Sequence, residues 1–370
     1  MTVNALTDVI GRSIEELPTP SVLIDVPTLR RNIEQMAGIA RGFDVDLRPH
    51  WKTTKSVEVA RMQVQAGAVG LTAATAEETL ALVDAGFDDI FWAYPPVGRH
   101  RIETALRAAR RARVIVGVDS LESARPLAGA AAAAGVDVEV RLEVDSGVRR
   151  TGVDPDDAVT VARQLALMPG LVLEGIFTHE GHVQGIGADA ERRFSAGTAA
   201  GQTLADVAGQ LRADGLDIAS VSVGSTAGAR SAPGVDGVTE ARPGTYVYGD
   251  ENQVAIGTTD PADTASTVLS RVISTQRGEP VLVDAGIKAM SSDGSMHGDG
   301  RIGTVVSDSG GILATGHEEH GFLRGSSSLK VGDLIRIRPN HACGLTNMHS
   351  YVFAVESGVV VDCWPVLGRH

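Results

Sequence analysis

The stretch RVIVGVDSLESARPLAGAAAAAGVDVEVRLEVD, residues 113–145, decides the fold. Arg113–Asp119 and Asp137–Asp145 are short apolar runs, and between them Asp119 or Ser120 can cap a helix that continues into the alanines Ala130–Ala134. Strand, helix and strand in that order predict a parallel pair joined by a crossover helix. On either side the alternation recurs, with apolar runs at Ser21–Val26, Asp46–Lys52, Gly70–Ala74, Asp89–Tyr94, Leu173–His179 and Ser220–Ser225, and room for a helix between most of them. Pro27 opens the first helix, and Thr75 with Glu78 reads as a capping box. Eight such units predict an α/β fold, a closed (β/α)8 barrel over residues 18–255. Beyond about residue 255 the helical period disappears. Val281–Asp284, Gly303–Val306, Leu334–Arg338 and Tyr351–Val355 alternate with glycine-rich turns and predict an antiparallel β domain over residues 256–370, which residues 1–17 could join.

Composition narrows the function classes. A chain of 370 residues that is 43% hydrophobic can bury a large core. A net charge of -13, with both signs interspersed, argues against a nucleic-acid partner. No apolar run approaches the roughly 18–20 residues that span a bilayer, so no membrane partner is expected. Two cysteines, Cys343 and Cys363, and an N-terminus without signal-peptide character fit a cytoplasmic protein.

Catalytic residues of such barrels lie at the C-terminal ends of the strands, and the unusual residues of this chain lie there. Lys52 ends the second run, where packing can strip its amine of water and favour imine chemistry; a lysine at a strand end is more often a solvated edge charge. Gly224-Ser225-Thr226-Ala227-Gly228 offers amides and hydroxyls suited to a phosphate, although glycine–serine turns are also common as plain loops. Arg242-Pro243-Gly244-Thr245-Tyr246 adds a second such turn with an arginine. His179 could stack on a planar ring or sit as a bonded core histidine, and its neighbours Glu180 and His182 could supply an acid–base group or be loop polarity. His341 and Cys343, one residue apart, fall on one face if their segment is extended, and imidazole with thiolate favours zinc. Two ligands do not close a tetrahedral site. His349 is a possible third, a surface histidine being the commoner outcome.

Arg242-Pro243-Gly244, Gly175–His179, and Asp145-Ser146-Gly147 followed by Arg150 and Gly152 resemble the matching segments of alanine racemases, the fold-type III pyridoxal 5′-phosphate enzymes. Arg48-Pro49-His50 leading to Lys52-Thr53, Val283–Ala289 and Pro339–Cys343 are similar to the narrower D-threonine aldolase and D-serine dehydratase branch, and that resemblance runs from about residue 19 to the end. It implies that Lys52 forms the Schiff base and is the default base for the α-proton, that His179 stacks on the pyridine ring, that Arg150 contacts the phenolic oxygen and Arg242 the pyridine nitrogen, and that Gly224, Ser225, Thr226, Gly244, Thr245 and Tyr246 surround the phosphate. Glu180 joins Lys52 and His179 as a catalytic candidate. The resemblance also implies a divalent metal on His341 and Cys343, zinc first and manganese second, and a homodimer acting on a small amino-acid substrate.

The implied function is a lyase acting on D-3-hydroxy-α-amino acids. Expulsion of hydroxide gives a 2-oxo acid and ammonia; cleavage of Cα–Cβ gives glycine and an aldehyde. Cys343, where aldolases of the branch tend to carry aspartate, favours dehydration. Thr54 stands where the branch usually has histidine, which bears on substrate choice. The racemase tyrosine signature is not evident, leaving an amino-acid racemase as the alternative, with a non-catalytic cofactor-binding protein behind it.

Overall fold

The structure, a computed structural model, describes residues 8–306 and 310–369. Residues 1–7, part of the segment expected to join the β domain, lie outside the described residues. The chain divides into two compact units: residues 35–52 and 59–244, with residues from 368 on, form one, and residues up to 34, 53–58 and 245–367 form the other.

Strand β1 (Ser21–Asp25) corrects the sequence reading. Its apolar pattern matches the other runs, but it pairs with later strands of the second unit and is not a barrel strand. The barrel is β2 (Asp46–Leu47), β3 (Leu71–Ala73), β4 (Asp89–Trp92), β5 (Arg113–Val118), β6 (Val138–Glu143), β7 (Leu171–Phe177), β8 (Ser220–Val223) and β9 (Glu240–Ala241), all parallel. The eighth barrel strand is therefore β9, two residues long and carrying a glutamate. The sheet order runs β2-β9-β8-β7-β6-β5-β4-β3. Its two ends meet at a single parallel bridge between His50 and Thr72, supported by bonds from Val69 N to Leu47 O (2.9 Å) and from Thr72 N to Pro49 O (2.8 Å).

Local signals build the crossover helices. Thr75 caps the helix Ala76–Asp84 by accepting from Glu78 N, while the Glu78 carboxylate reaches back to Ala74 N at 2.7 Å. Ser120, rather than Asp119, caps Leu121–Ala134, and Asp119 accepts from the hydroxyls of Ser120 and Ser123. Inside the barrel, Phe91, Ile115 and Phe177 form an apolar layer, with the two phenyl rings edge to face at 4.9 Å.

In the second unit the strands are β10 (Ser266–Ser274), β11 (Val281–Val283), β12 (Gly303–Val305), β13 (Ile312–Gly316), β14 (Gly321–Arg324), β15 (Leu334–Pro339), β16 (Tyr351–Glu356) and β17 (Val359–Pro365). Six of them close on themselves in the order β10-β11-β14-β13-β12-β15, and β1 continues the sheet from β10 to β16 and β17. Val9 and Leu17 are buried with Leu23, Leu269, Phe353, Val355 and Val360, so the described part of the N-terminal segment belongs to this core. The main divisions between the compact units fall at 34/35 and 244/245; the sequence expectation has its boundaries at 18 and 255.

Candidate active site

At the C-terminal ends of the barrel strands, Lys52 and His50 follow β2, Arg150 lies beyond β6, His179 and Glu180 follow β7, Gly224–Thr226 follow β8, and Arg242 follows β9. Lys52 is half-buried in a 3-10 turn (Trp51–Thr53), and its backbone N–H points to His50 Nδ1 at 3.4 Å. His179 Nδ1 lies 2.6 Å from the Gly224 carbonyl, which places the ring proton on Nδ1. Burial, then the Lys52 charge, brings the His179 imidazole down to about 3, with Arg150 and Arg242 adding to the effect. His50 is likewise held well below the usual imidazole range by burial and by Lys52, Arg242 and His179. Both rings are neutral at pH 7, through burial first and the surrounding cations second.

Arg242 is buried. It donates Nη2 to the Thr178 carbonyl at 2.7 Å and Nη1 to the Ser222 hydroxyl, and its guanidinium lies 5.4 Å from the Phe91 ring and 5.3 Å from Phe177. Burial lowers its pKa to about 10, and Glu240 offsets part of that. Arg150 stays exposed, 3.9 Å from Glu143, on a loop shaped by Asp145, which accepts from Gly147 N (2.9 Å) and Arg149 N (3.0 Å).

Glu180 is buried, not solvated. Its carboxylate accepts from Gly224 N (2.9 Å) and from the Ser225 hydroxyl (3.0 Å), and Ser225 in turn accepts from Gly228 N (2.9 Å). It thus backs the Gly224–Gly228 turn from below, and a Cβ at Gly228 would meet its Oε1 at 2.7 Å. Gly224 N is committed to this bond, so it is not a free phosphate donor here; Ser225 and Thr226 sit half-exposed on the turn. The division between the units falls after Gly244, so Thr245 and the buried Tyr246 belong to the other unit, where Thr245 Oγ1 is 4.0 Å from Cys343 Sγ.

The His341–Cys343 pair is not extended. His341 has β geometry (φ -140°, ψ 116°) and caps the helix Ala342–Met348, so Cys343 lies in a first helical turn. The two side chains still converge: Cys343 beside it is the main cause raising His341 to about 11, with Asp250 adding a bond against burial. Fully buried Asp250 holds His341 Nδ1 (3.1 Å), Ala342 N (3.0 Å) and Gln253 N (2.8 Å). Thr53 Oγ1 lies 3.2 Å from Cys343 Sγ, and the peptide bond joining it to Lys52 is where the chain passes from one unit to the other. His349 bonds the Ala289 carbonyl at 3.0 Å. Among the described residues no three His, Cys, Asp or Glu side chains gather to hold a metal.

The donor sets fit the implied groups. Lys52, Arg150 and Arg242 gather around two neutral imidazoles, which suits an anionic ligand with a phosphate. An imidazole oriented through Nδ1 by a buried carboxylate, next to a thiol, suits a soft divalent cation whose remaining ligands come from outside the chain. The sequence reading missed His50, Asp250 and Thr53. The signal for Asp250 was available in its place as an N-cap three residues before Gln253.

Comparison with known proteins agrees. The profile of the alanine racemase N-terminal domain matches residues 24–252, and that of a putative serine dehydratase domain matches residues 265–355. The chain is 36% identical over 376 residues to a D-threo-3-hydroxyaspartate dehydratase of Delftia sp. (strain HT23), covering 94% of this chain and 97% of that one. It is 29% identical over 367 residues to a D-threonine aldolase of Arthrobacter sp., covering 97% and 94%. A solved structure of a D-threo-3-hydroxyaspartate dehydratase, a cysteine-to-alanine variant in the metal-free form, superposes with a TM-score of 0.89 at 33% identity, covering 96% of this chain and 99% of that one. No described helix is long and apolar enough to cross a membrane.

Proposed function

The chain belongs to the alanine-racemase-like, fold-type III family of pyridoxal-phosphate enzymes, in its D-threonine aldolase and D-serine dehydratase branch, and from that premise we propose that it is a metal-assisted lyase acting on D-3-hydroxy-α-amino acids. The reaction we favour is dehydration to a 2-oxo acid and ammonia. The observation that carries the reading is the cluster at the barrel mouth in which the Lys52 and Arg242 charges bear on the neutral rings of His50 and His179, with Arg150 also acting on His179. Cys343 and the higher identity to a dehydratase than to an aldolase support the direction.

Pyridoxal phosphate, when bound, supplies an electron sink for charge at the substrate Cα. Lys52 Nζ is the amine that would hold it and, once released, the base for the α-proton. His179 presents a neutral ring for stacking, because a cationic imidazole is disfavoured there. Arg242 would donate to the pyridine nitrogen and Arg150 to the phenolic oxygen, and the turns at Gly224–Thr226 and Gly244–Tyr246 would hold the phosphate, with Glu180 bracing the first of them. His341 and Cys343 would hold zinc, or manganese, as a Lewis acid for the 3-hydroxyl. Asp250 orients His341, and Thr53 Oγ1 contacts the Cys343 side chain. The same family resemblance supports a homodimer, and the presence of only two cysteines, Cys343 and Cys363, fits a reducing cytoplasm.

The test incubates the purified protein and pyridoxal phosphate with D-serine, D-threonine and D-threo-3-hydroxyaspartate, with and without chelator. Dehydration yields pyruvate, 2-oxobutanoate and oxaloacetate respectively, each with ammonia, and chelator suppresses them. Glycine with acetaldehyde or glyoxylate would establish the aldolase instead. Chelator-insensitive exchange of D- and L-alanine would overturn the lyase reading in favour of a racemase.

A further inference from the structure

Below Arg242 the barrel interior holds a hydrogen-bonded chain whose direction is set by charge. Glu240 is buried between Arg48 (Nε to Oε2, 2.7 Å) and Arg141 (Nη1 to Oε1, 2.5 Å). Burial pushes its carboxyl up, but the Arg141 and Arg48 charges outweigh burial and hold it well below the usual carboxylate range. Glu240 is therefore an acceptor only.

Ser222, its cross-strand partner in the β8–β9 pair, is fully buried, with Oγ 2.5 Å from Glu240 Oε1. A hydroxyl has one proton, and facing a carboxylate it must donate it there. What remains for its other neighbour, Arg242 Nη1, is a lone pair. The Thr178 carbonyl makes the same demand on Nη2 at 2.7 Å, and the Phe91 and Phe177 rings flank the guanidinium. Glu240 thus acts on Arg242 through the serine hydroxyl between them.

We propose that Ser222 and Glu240 are positioning residues for Arg242: the carboxylate orients the Ser222 hydroxyl, and the oriented hydroxyl fixes the guanidinium plane and so the direction of its remaining N–H groups toward the cofactor ring. This rests on the reading that Arg242 meets the pyridine nitrogen. An arginine, which only donates, would leave that nitrogen without a proton when held against it, so the placement of the guanidinium sets how strongly the ring withdraws electrons. It also explains why a serine stands where an apolar side chain would fill the interior equally well.

The test compares wild type, S222A and S222T for cofactor affinity by equilibrium dialysis, for the pH midpoint of the bound cofactor's absorbance, and for melting temperature. Backbone bonds such as Thr178 N to Ser222 O (3.0 Å) survive both substitutions. S222A is expected to bind pyridoxal phosphate about tenfold more weakly, as loss of one bond to a charged group predicts, and to move the absorbance midpoint by about one pH unit. S222T, which keeps the hydroxyl, is expected to restore both. An unmoved midpoint in S222A overturns the relay, even if melting falls, because a filler residue affects stability alone. If the wild type takes up no cofactor, the parent reading fails and the relay with it.

Discussion

Two sets of charged side chains stand inside one barrel and are matched in opposite ways. Around Glu240, each cation meets an anion: Arg48 bonds Glu240 and Asp89, and Arg141 bonds Glu240 and Glu174. At the mouth, the Lys52 and Arg242 charges bear on the neutral rings of His50 and His179, Arg242 is itself drawn by Glu240, and the nearby Glu180 is committed to Gly224 and Ser225. Matched charges specify packing, and removing one partner strands the rest. Unmatched cations cost stability and are kept where a ligand supplies the missing anion. The floor of the barrel should therefore answer to stability measurements and the mouth to ligand and turnover.

The sharpest way to break this contrast is Lys52→Ala. It should lower ammonia release on the order of 10⁴-fold, as loss of a covalent catalytic group does, with an unchanged melting curve. A large fall in melting temperature would place Lys52 with the floor. Glu240→Ala should do the reverse, costing about 3–5 kcal/mol in urea unfolding by taking from buried Arg48 and Arg141 the carboxylate they share, leaving Asp89 and Glu174 as their remaining partners. Its folded pKa is depressed, so the wild type's contribution from Glu240 is present above about pH 4.5 and is lost as pH falls below it. A melt that is flat from pH 5 to 3 would count against this.

Cys343→Ala should reduce turnover about 100-fold, roughly 2.7 kcal/mol in barrier, and the residual rate should no longer respond to chelator. Persistent chelator sensitivity would remove Cys343 from the metal site. The smallest expected effect belongs to the mouth imidazoles. His50 and His179 have folded pKa values below the unfolded value of about 6.5, so the unfolded chain takes up protons first as pH falls. Through His179 alone the cofactor-free protein should lose about 2 kcal/mol between pH 7 and 5. His179→Phe should remove that loss, and an unaltered pH slope would show that His179 is already protonated in the fold.

Most of the barrel was legible because β3 to β8 carry the apolar runs that periodicity detects. Periodicity identifies a strand without naming its partner, and for that reason Ser21–Asp25 was placed in the wrong sheet. It also passes over β9, whose first residue is a glutamate made tolerable indoors by two arginines from β6 and the end of β2. In the site, Lys52, His179 and Arg242 could be read because each follows a strand. Asp250 shows in the sequence only as an N-cap and Thr53 as no more than a neighbour of Lys52, since their roles at His341 and Cys343 arise from contacts with residues 91 and 290 positions away. The His341–Cys343 pair converges through a helix cap rather than the extended segment that its spacing suggested.

The barrel's closing seam has a consequence in the language of hydrogen exchange. From β5 to β7 the strands are six or seven residues long, whereas β2 and β9 have two each, and the sheet closes on one bridge at His50. Amides of Val114–Val118 and Ile176–Phe177 should exchange only through global unfolding, while those of Leu47–His50 open locally. The lysine two residues further on is thus mounted on the most lightly stitched part of the ring, able to shift by local opening while the long strands stay paired.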